Sequence, residues 1–373
     1  MLTRREMLGV TTGTLTGLGL FSGVARAGSN SLEPVREEGI AWYDVTQWGV
    51  EGRGWNDTAR FFDRLPARAE KVVRPAVWNL SRHSAGMCAR FVTDATLIRV
   101  RYSLLSANLA MPHMPATGVS GLDLYAQDDR GVWRWVAVAQ PTKQEMDLTL
   151  VSGVRPGKRP FMLYLPLYNG VESLQIGVPE NADFQPVPPR TDGLIVYYGT
   201  SIAHGACASR PGMAFPAILG RRVNRPVINL GFSGNGRMDL ELVPFLGELD
   251  AAVFCIDCLP NMQADEIKER AEPFVRSLRE RKPQVPIVLI EDRTYTNAWI
   301  LPDREKRHQT SREALKAAYQ RLLAEGAKEL YYVEGEHQLG DDHEACTDGS
   351  HPSDLGMMRM ADVLEPVLRP LLK

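Results

Sequence analysis

The sequence has 373 residues, 44% apolar and 24% charged, with a formal net charge of −2. That composition belongs to an ordinary globular protein, and it lacks the basic excess that marks a nucleic-acid partner. At roughly 100–200 residues per domain the length predicts two domains, each able to bury a core.

Residues 1–27 read as an export signal. Arg4-Arg5 precede a mostly apolar, Gly- and Thr-containing stretch from Leu8 to Val24, and Ala25-Arg26-Ala27 closes it. This is the order of a secretory signal peptide, and the paired arginines point to the Tat route. The alternative is a membrane anchor, for which the stretch is short and rich in Gly and Thr. Cleavage near Ala27 would give an exported protein, periplasmic or secreted. No later apolar run approaches the ~18 residues of a span, so no stable membrane insertion is expected after cleavage.

From about residue 41 to 185 the pattern is short and alternating. In "TLIRVRYSLL" (96–105) Leu/Arg/Arg alternate with Ile/Val/Tyr, and "GLDLYAQ", "VWRWVAVAQ", "RPFMLYLPLY" and "SLQIGV" repeat the style between Gly, Pro, Asn and Asp. Several such strands predict an antiparallel β-sandwich over 35–185. The Pro-rich, polar stretch 180–192 reads as a linker. Trp42, Trp48, Trp55, Trp133 and Trp135 are core residues by default, with sugar-stacking surfaces as the alternative.

After residue 192 the rhythm changes. Apolar runs "GLIVYYG", "PVINLG", "AAVFCID", "PIVLIE" and "ELYYVEG" alternate with helical segments, among them 303–325 and a closing helix from about Leu355. Continuous apolar strands alternating with helices predict an α/β domain over 190–373 with a parallel five-stranded sheet covered on both faces. Ligands bind such sheets beyond the carboxyl ends of the strands.

Four strand-end loops carry reactive groups. Ser201 follows the first strand, and "NLGFSGNG" with Gly234 follows the second. "DCLPNM" with Asn261 follows the third, and "CTDGSHPSDLG" with Asp348 and His351 precedes the last helix. Each has an ordinary alternative: Ser201 as a helix N-cap, Asn261 as a turn residue, Asp348 to His351 as a capped turn. Placed together at one end of one sheet, they suit nucleophilic acyl transfer. His351 would take the Ser201 proton, and Asp348, three residues earlier, would hold the other ring nitrogen. The N–H groups of Ser201 and Gly234 and the Asn261 amide would form the oxyanion hole. Glycine at 234 lets the backbone approach without a Cβ.

This order of blocks resembles the SGNH (GDSL-like) hydrolase superfamily, whose four letters match Ser201, Gly234, Asn261 and His351, with Asp348 as the acid. The resemblance covers about 190–373. Thr200 stands where the first block usually has Asp, and "LPN" where the third often reads Gly-x-Asn-Asp. "GLDLY" (121–125) looks like the signature of the GxDLY domain that precedes such esterases. The resemblance implies a three-layer, flavodoxin-like α/β/α hydrolase domain behind a jelly-roll-like sandwich. It also implies serine esterase activity that needs no metal or organic cofactor.

The remaining polar groups near strand ends are secondary candidates. Thr200, His204, Arg210, Asp257 and Arg293 are possible substrate contacts. His204 has an ordinary loop histidine as its alternative, Asp257 a polar strand terminus, and Arg210 an ion pair with an acidic neighbour. His83, His113, His308, His337 and His343 show no metal-ligand spacing. Cys255-x-x-Cys258 sits at a buried strand where positions three apart face opposite ways. No second Cys or His pair accompanies it, so neither metal nor redox use is expected. The five cysteines exclude complete intramolecular pairing. The expected substrate is a short-chain ester, acetyl first, on a small molecule or polysaccharide. The alternatives are a lipase or thioesterase for longer chains and a non-catalytic carbohydrate-binding protein.

Overall fold

In the computed structural model, which describes residues 32–372, side chains alternate between half-exposed and buried along Leu97–Leu104, as the sequence alternates. The predicted signal segment, residues 1–27, lies outside the described residues. The N-terminal half carries antiparallel strands β1 (Val35–Glu37), β2 (Ile40–Asp44), β3 (Cys88–Thr93), β4 (Leu97–Leu104) and β5 (Asp123–Gln127). It continues with β6 (Trp133–Val138), β7 (Glu145–Ser152), β8 (Arg159–Tyr164), β9 (Val171–Pro179) and β10 (Phe184–Val187). They form two five-stranded sheets, β1-β2-β9-β4-β7 and β10-β3-β8-β5-β6. Val100 and Ile176 of the first sheet share one core with Phe91, Leu124 and Phe161 of the second. This is a β-sandwich.

The stretch expected to be a linker, 180–192, contains strand β10, which pairs antiparallel with β3 at the edge of its sheet. Pro186 has no N–H to give to a ladder, and an edge strand needs only one bonded side.

The C-terminal half contributes β11 (Leu194–Gly199), β12 (Val227–Gly231), β13 (Ala251–Asp257), β14 (Ile287–Ile290) and β15 (Leu330–Val333), all parallel, in the order β12-β11-β13-β14-β15. One face of this sheet packs on helices Ala264–Arg281 and Pro302–Ala324 through Phe274, Leu278 and Leu315. The other packs on helices Phe215–Val223 and Asp354–Leu368 through Leu219, Met360 and Leu364. Cys255 and Cys258 belong to the cores on opposite faces of the sheet, as strand geometry requires.

A segment from the first half crosses over. Trp55, Leu65, Val77 and Trp78 lie in the same core as Val196, Ile228 and Phe254 of the parallel sheet. Residues from Pro34 on form one compact unit, and this shared core is the reason. Trp42 and Trp55 are buried, Trp48 donates its indole N–H to Arg90 O at 3.1 Å, and Trp135 is 51% exposed.

Candidate active site

The sheet order places β11 between β12 and β13, so chain direction across the sheet reverses beside β11, and the crevice opens at its carboxyl end. Ser201 stands there. It begins the short helix Ser201–His204, and its N-cap is Thr200, whose hydroxyl accepts the Ile202 N–H at 3.4 Å. The capping duty thus falls on Thr200, leaving the Ser201 hydroxyl available. Ser201 is 6% exposed.

Ser201 Oγ lies 2.8 Å from His351 Nε2, and His351 Nδ1 lies 2.7 Å from Asp348 Oδ2. The other Asp348 oxygen accepts the backbone N–H of His351 at 2.8 Å and of Ser350 at 3.0 Å. Partial burial alone would raise the Asp348 carboxyl, but these N–H groups and the imidazole outweigh it and hold it down at about 2. Asp348 is therefore a fixed anion that accepts from Nδ1–H and leaves Nε2 to face the hydroxyl. The loop itself is tied at several points. Thr347 N donates to His351 O at 2.9 Å, Thr296 N to Gly349 O at 3.0 Å, and Cys207 N to Pro352 O at 3.4 Å.

Asn261 follows β13 and accepts the Gly236 N–H on Oδ1 at 3.2 Å. With the oxygen so used, the NH2 is the end of the amide available to a ligand. Gly234 is exposed, with φ +69°, and a Cβ built there meets nothing within 4 Å. Its glycine is needed for the left-handed backbone, not for clearance as expected. Clearance is needed two residues on. A Cβ on Gly236 would come within 2.1 Å of Gly199 O.

The five expected substrate contacts are engaged within the protein. Thr200, His204, Asp257 and Arg293 are fully buried behind the loops, with no surface to offer a ligand. His204 stacks on Tyr168 with ring centroids 4.1 Å apart. Burial, then the charge of Arg64, push it well below the usual histidine range. Asp257 accepts from Tyr197 OH at 3.2 Å, and Arg293 pairs with Asp292 at 3.0 Å and more loosely with Asp257 at 3.8 Å. Arg210 pairs with Asp123 at 3.0 Å and with the Tyr125 hydroxyl. The acidic-neighbour alternative is thus the one observed.

Asp123 belongs to "GLDLY". Fully buried, it also accepts the Gly212 N–H at 2.7 Å and the Trp135 indole N–H at 3.0 Å. The signature therefore fastens the sandwich to the loop 207–213 that runs beside His351. Two more supporting residues went unread in the sequence. Arg74 donates to Asn235 Oδ1 at 2.7 Å and Asn235 O at 2.8 Å while pairing with Asp239 at 2.8 Å, so it braces the Gly234 loop. Tyr168 OH donates to Ser201 O at 3.2 Å. Neither carries a local signal, because both act across long sequence separations. Among the described residues no group of three or more His, Cys, Asp or Glu is placed to hold a metal ion. None of their helices is long and apolar enough to cross a membrane.

The GDSL-like lipase/acylhydrolase family model matches residues 192–369, and the model for the N-terminus of SGNH-hydrolase-type esterases matches 40–184. No curated protein matches the chain. Among solved structures, a protein of Bacteroides ovatus described as a GDSL-like lipase is 33% identical, with a TM-score of 0.85. That match covers 89% of this chain and 98% of the other. A salicylyl-acyltransferase from a tetracycline biosynthetic pathway is 18% identical, with a TM-score of 0.71, covering 90% and 98%. A family two carbohydrate esterase from Cellvibrio japonicus is 14% identical, with a TM-score of 0.55, covering 89% and 98%. The last two share the fold.

Proposed function

Because the chain belongs to the GDSL-like lipase/acylhydrolase family, and is an ester-hydrolysing enzyme, we propose that it cleaves short-chain esters, acetyl first, by a Ser201 acyl-enzyme mechanism. The observation that carries this reading is the hydrogen-bonded series Ser201 Oγ, His351 Nε2, His351 Nδ1, Asp348 Oδ2, at 2.8 and 2.7 Å. His351 takes the hydroxyl proton as Ser201 Oγ attacks the ester carbonyl carbon. The tetrahedral oxyanion is held by the N–H groups of Ser201 and Gly234 and by the Asn261 amide. His351 Nε2–H then protonates the departing alkoxide as the C–O bond breaks. Water enters, gives its proton to His351, and releases the acid and the free serine by the same steps.

Acetylated saccharides are the first natural substrates to try, since structures named as carbohydrate esterases, including an acetyl xylan esterase from Butyrivibrio proteoclasticus, share the fold. Chain-length profiling with p-nitrophenyl esters tests the acyl preference. A maximum at C2 supports the proposal, and a maximum at C8 or longer replaces it with a lipase or thioesterase. Export through the Tat route is part of the same reading and rests on Arg4-Arg5 and Ala25-Arg26-Ala27. The mass of the protein recovered from the periplasm tests it: a mature N-terminus near residue 28 is expected, and an uncleaved chain confined to the cytoplasm contradicts it.

A further inference from the structure

A histidine from the sandwich half stands beside the proposed general base. Met111 and Met114 exchange backbone hydrogen bonds, N to O at 3.0 and 3.1 Å, closing a tight turn with Pro112 and His113 at its corners. The His113 and His351 ring centroids are 5.9 Å apart, with the rings inclined by 45°. His113 is half-buried.

The turn is anchored on its C-terminal side. Met114 is 2% exposed and belongs to the core that holds Ile202 and Cys207, close in sequence to Ser201. Three residues on, the Thr117 hydroxyl donates to Ser209 O at 2.7 Å, and a Cβ on Gly118 would lie 2.4 Å from Ala208 O. Such close backbone packing leaves the turn little freedom.

Resting on the acyl-transfer reading above, we propose that His113 is a specificity-determining residue that contacts the alcohol portion of the ester. His351 Nε2 must reach the leaving oxygen to protonate it. The alcohol therefore begins beside the His351 ring, while the carbonyl oxygen points to Gly234 and Asn261. A second imidazole next to that ring is therefore within reach of the alcohol. Its two nitrogens, one donor and one acceptor when neutral, suit an alcohol that keeps further hydroxyl or ester oxygens, such as a polyol or saccharide. An aromatic leaving group such as p-nitrophenol presents no such oxygens near the cleaved bond.

The test compares two esters with the same acetyl group, triacetin and p-nitrophenyl acetate, on wild type, His113→Ala and His113→Gln. The quantity read is the ratio of kcat/KM for triacetin to that for p-nitrophenyl acetate, which does not depend on how much of each variant folds. His113→Ala is expected to lower this ratio about tenfold, the effect of one lost hydrogen bond to a polar group. His113→Gln, which keeps a donor and an acceptor, is expected to restore most of it. An unchanged ratio in His113→Ala overturns the proposal, because loss shared equally by both esters means His113 acts through His351. Wild type that turns over p-nitrophenyl acetate but not triacetin overturns it as well. Wild type with no more activity than Ser201→Ala on either ester removes the acyl-transfer reading itself, and this inference with it.

Discussion

A serine hydroxyl attacks an ester only when a base takes its proton, and at position 201 the proposed base, its proposed orienting carboxylate and the capping of the helix behind the serine fall on separate residues. Thr200 caps, His351 faces the hydroxyl, and Asp348 holds the imidazole. Asn261→Ala removes one proposed oxyanion donor and should lower kcat by about 10²- to 10³-fold with little change in KM. Steady-state kinetics on p-nitrophenyl acetate check this, and wild-type kcat in the variant would contradict it. That Ser201, His351 and Asp348 come together was legible in the sequence, because their side-chain chemistry and chain order both point to acyl transfer. Thr200, His204, Asp257 and Arg293 were misplaced because nearness to a strand end does not say on which side of the loop a side chain lies. All four turn inward, into ion pairs, stacks and caps made with residues distant in sequence. Asp123 stands in the "GLDLY" signature, yet its partners Arg210 and Gly212 lie nearly 90 residues away.

Among the elements, the loop after β12 separates two kinds of glycine. Gly234→Ala keeps its N–H and meets no atom, so its cost is the left-handed backbone, about 1–2 kcal/mol of stability. Gly236→Ala drives a methyl into Gly199 O at the end of β11, immediately before Thr200 and Ser201. It should cost more stability than Gly234→Ala and lower kcat at least tenfold through the displaced serine. Urea unfolding and kinetics of the two variants side by side check the order, and equal effects would contradict it. Asp123→Ala leaves the partly buried Arg210 and the Gly212 N–H without their carboxylate. A loss of about 3–5 kcal/mol is expected, read by the same unfolding measurement. The alternating strands and apolar parallel strands were readable because burial on one face or two writes period-2 or continuous apolar patterns. Edge strand β10 was hidden by Pro186, and the crossing segment around Trp55 to Trp78 by the absence of any local period.

At the scale of the whole molecule, buried histidines set the acid response. Burial, then the charge of Arg64, push His83 down to about 3 and His204 well below the usual histidine range, and burial pushes His308 down to about 4, so none of the three carries a proton in the folded chain near neutrality. In the unfolded chain each titrates near 6.5. As pH falls below about 6.5 the unfolded state gains protons the folded state refuses, so stability falls, by up to about 1.4 kcal/mol per pH unit for each histidine. Asp257 acts in the opposite sense. Burial, opposed by Arg293, raises it to about 6, so it favours the folded state as pH drops from there towards 3.8 and offsets one histidine. From these three histidines and Asp257 a net uptake of about two protons on unfolding is expected between pH 6 and 5. Replacing His204 by Phe, which keeps the stack on Tyr168, should flatten that slope. Urea unfolding at pH 7, 6 and 5 measures both, and identical slopes in the two proteins would contradict the assignment. Because Trp55, Leu65 and Trp78 complete the core of the parallel sheet, the full chain should unfold in one transition.

The central claim is that Ser201 attacks the ester, and p-nitrophenyl acetate turnover by the chain from residue 28, wild type beside Ser201→Ala, tests it most directly. A loss of about a thousandfold or more in kcat is predicted, with the fold of the variant unchanged by circular dichroism. Turnover by Ser201→Ala at the wild-type rate would contradict it.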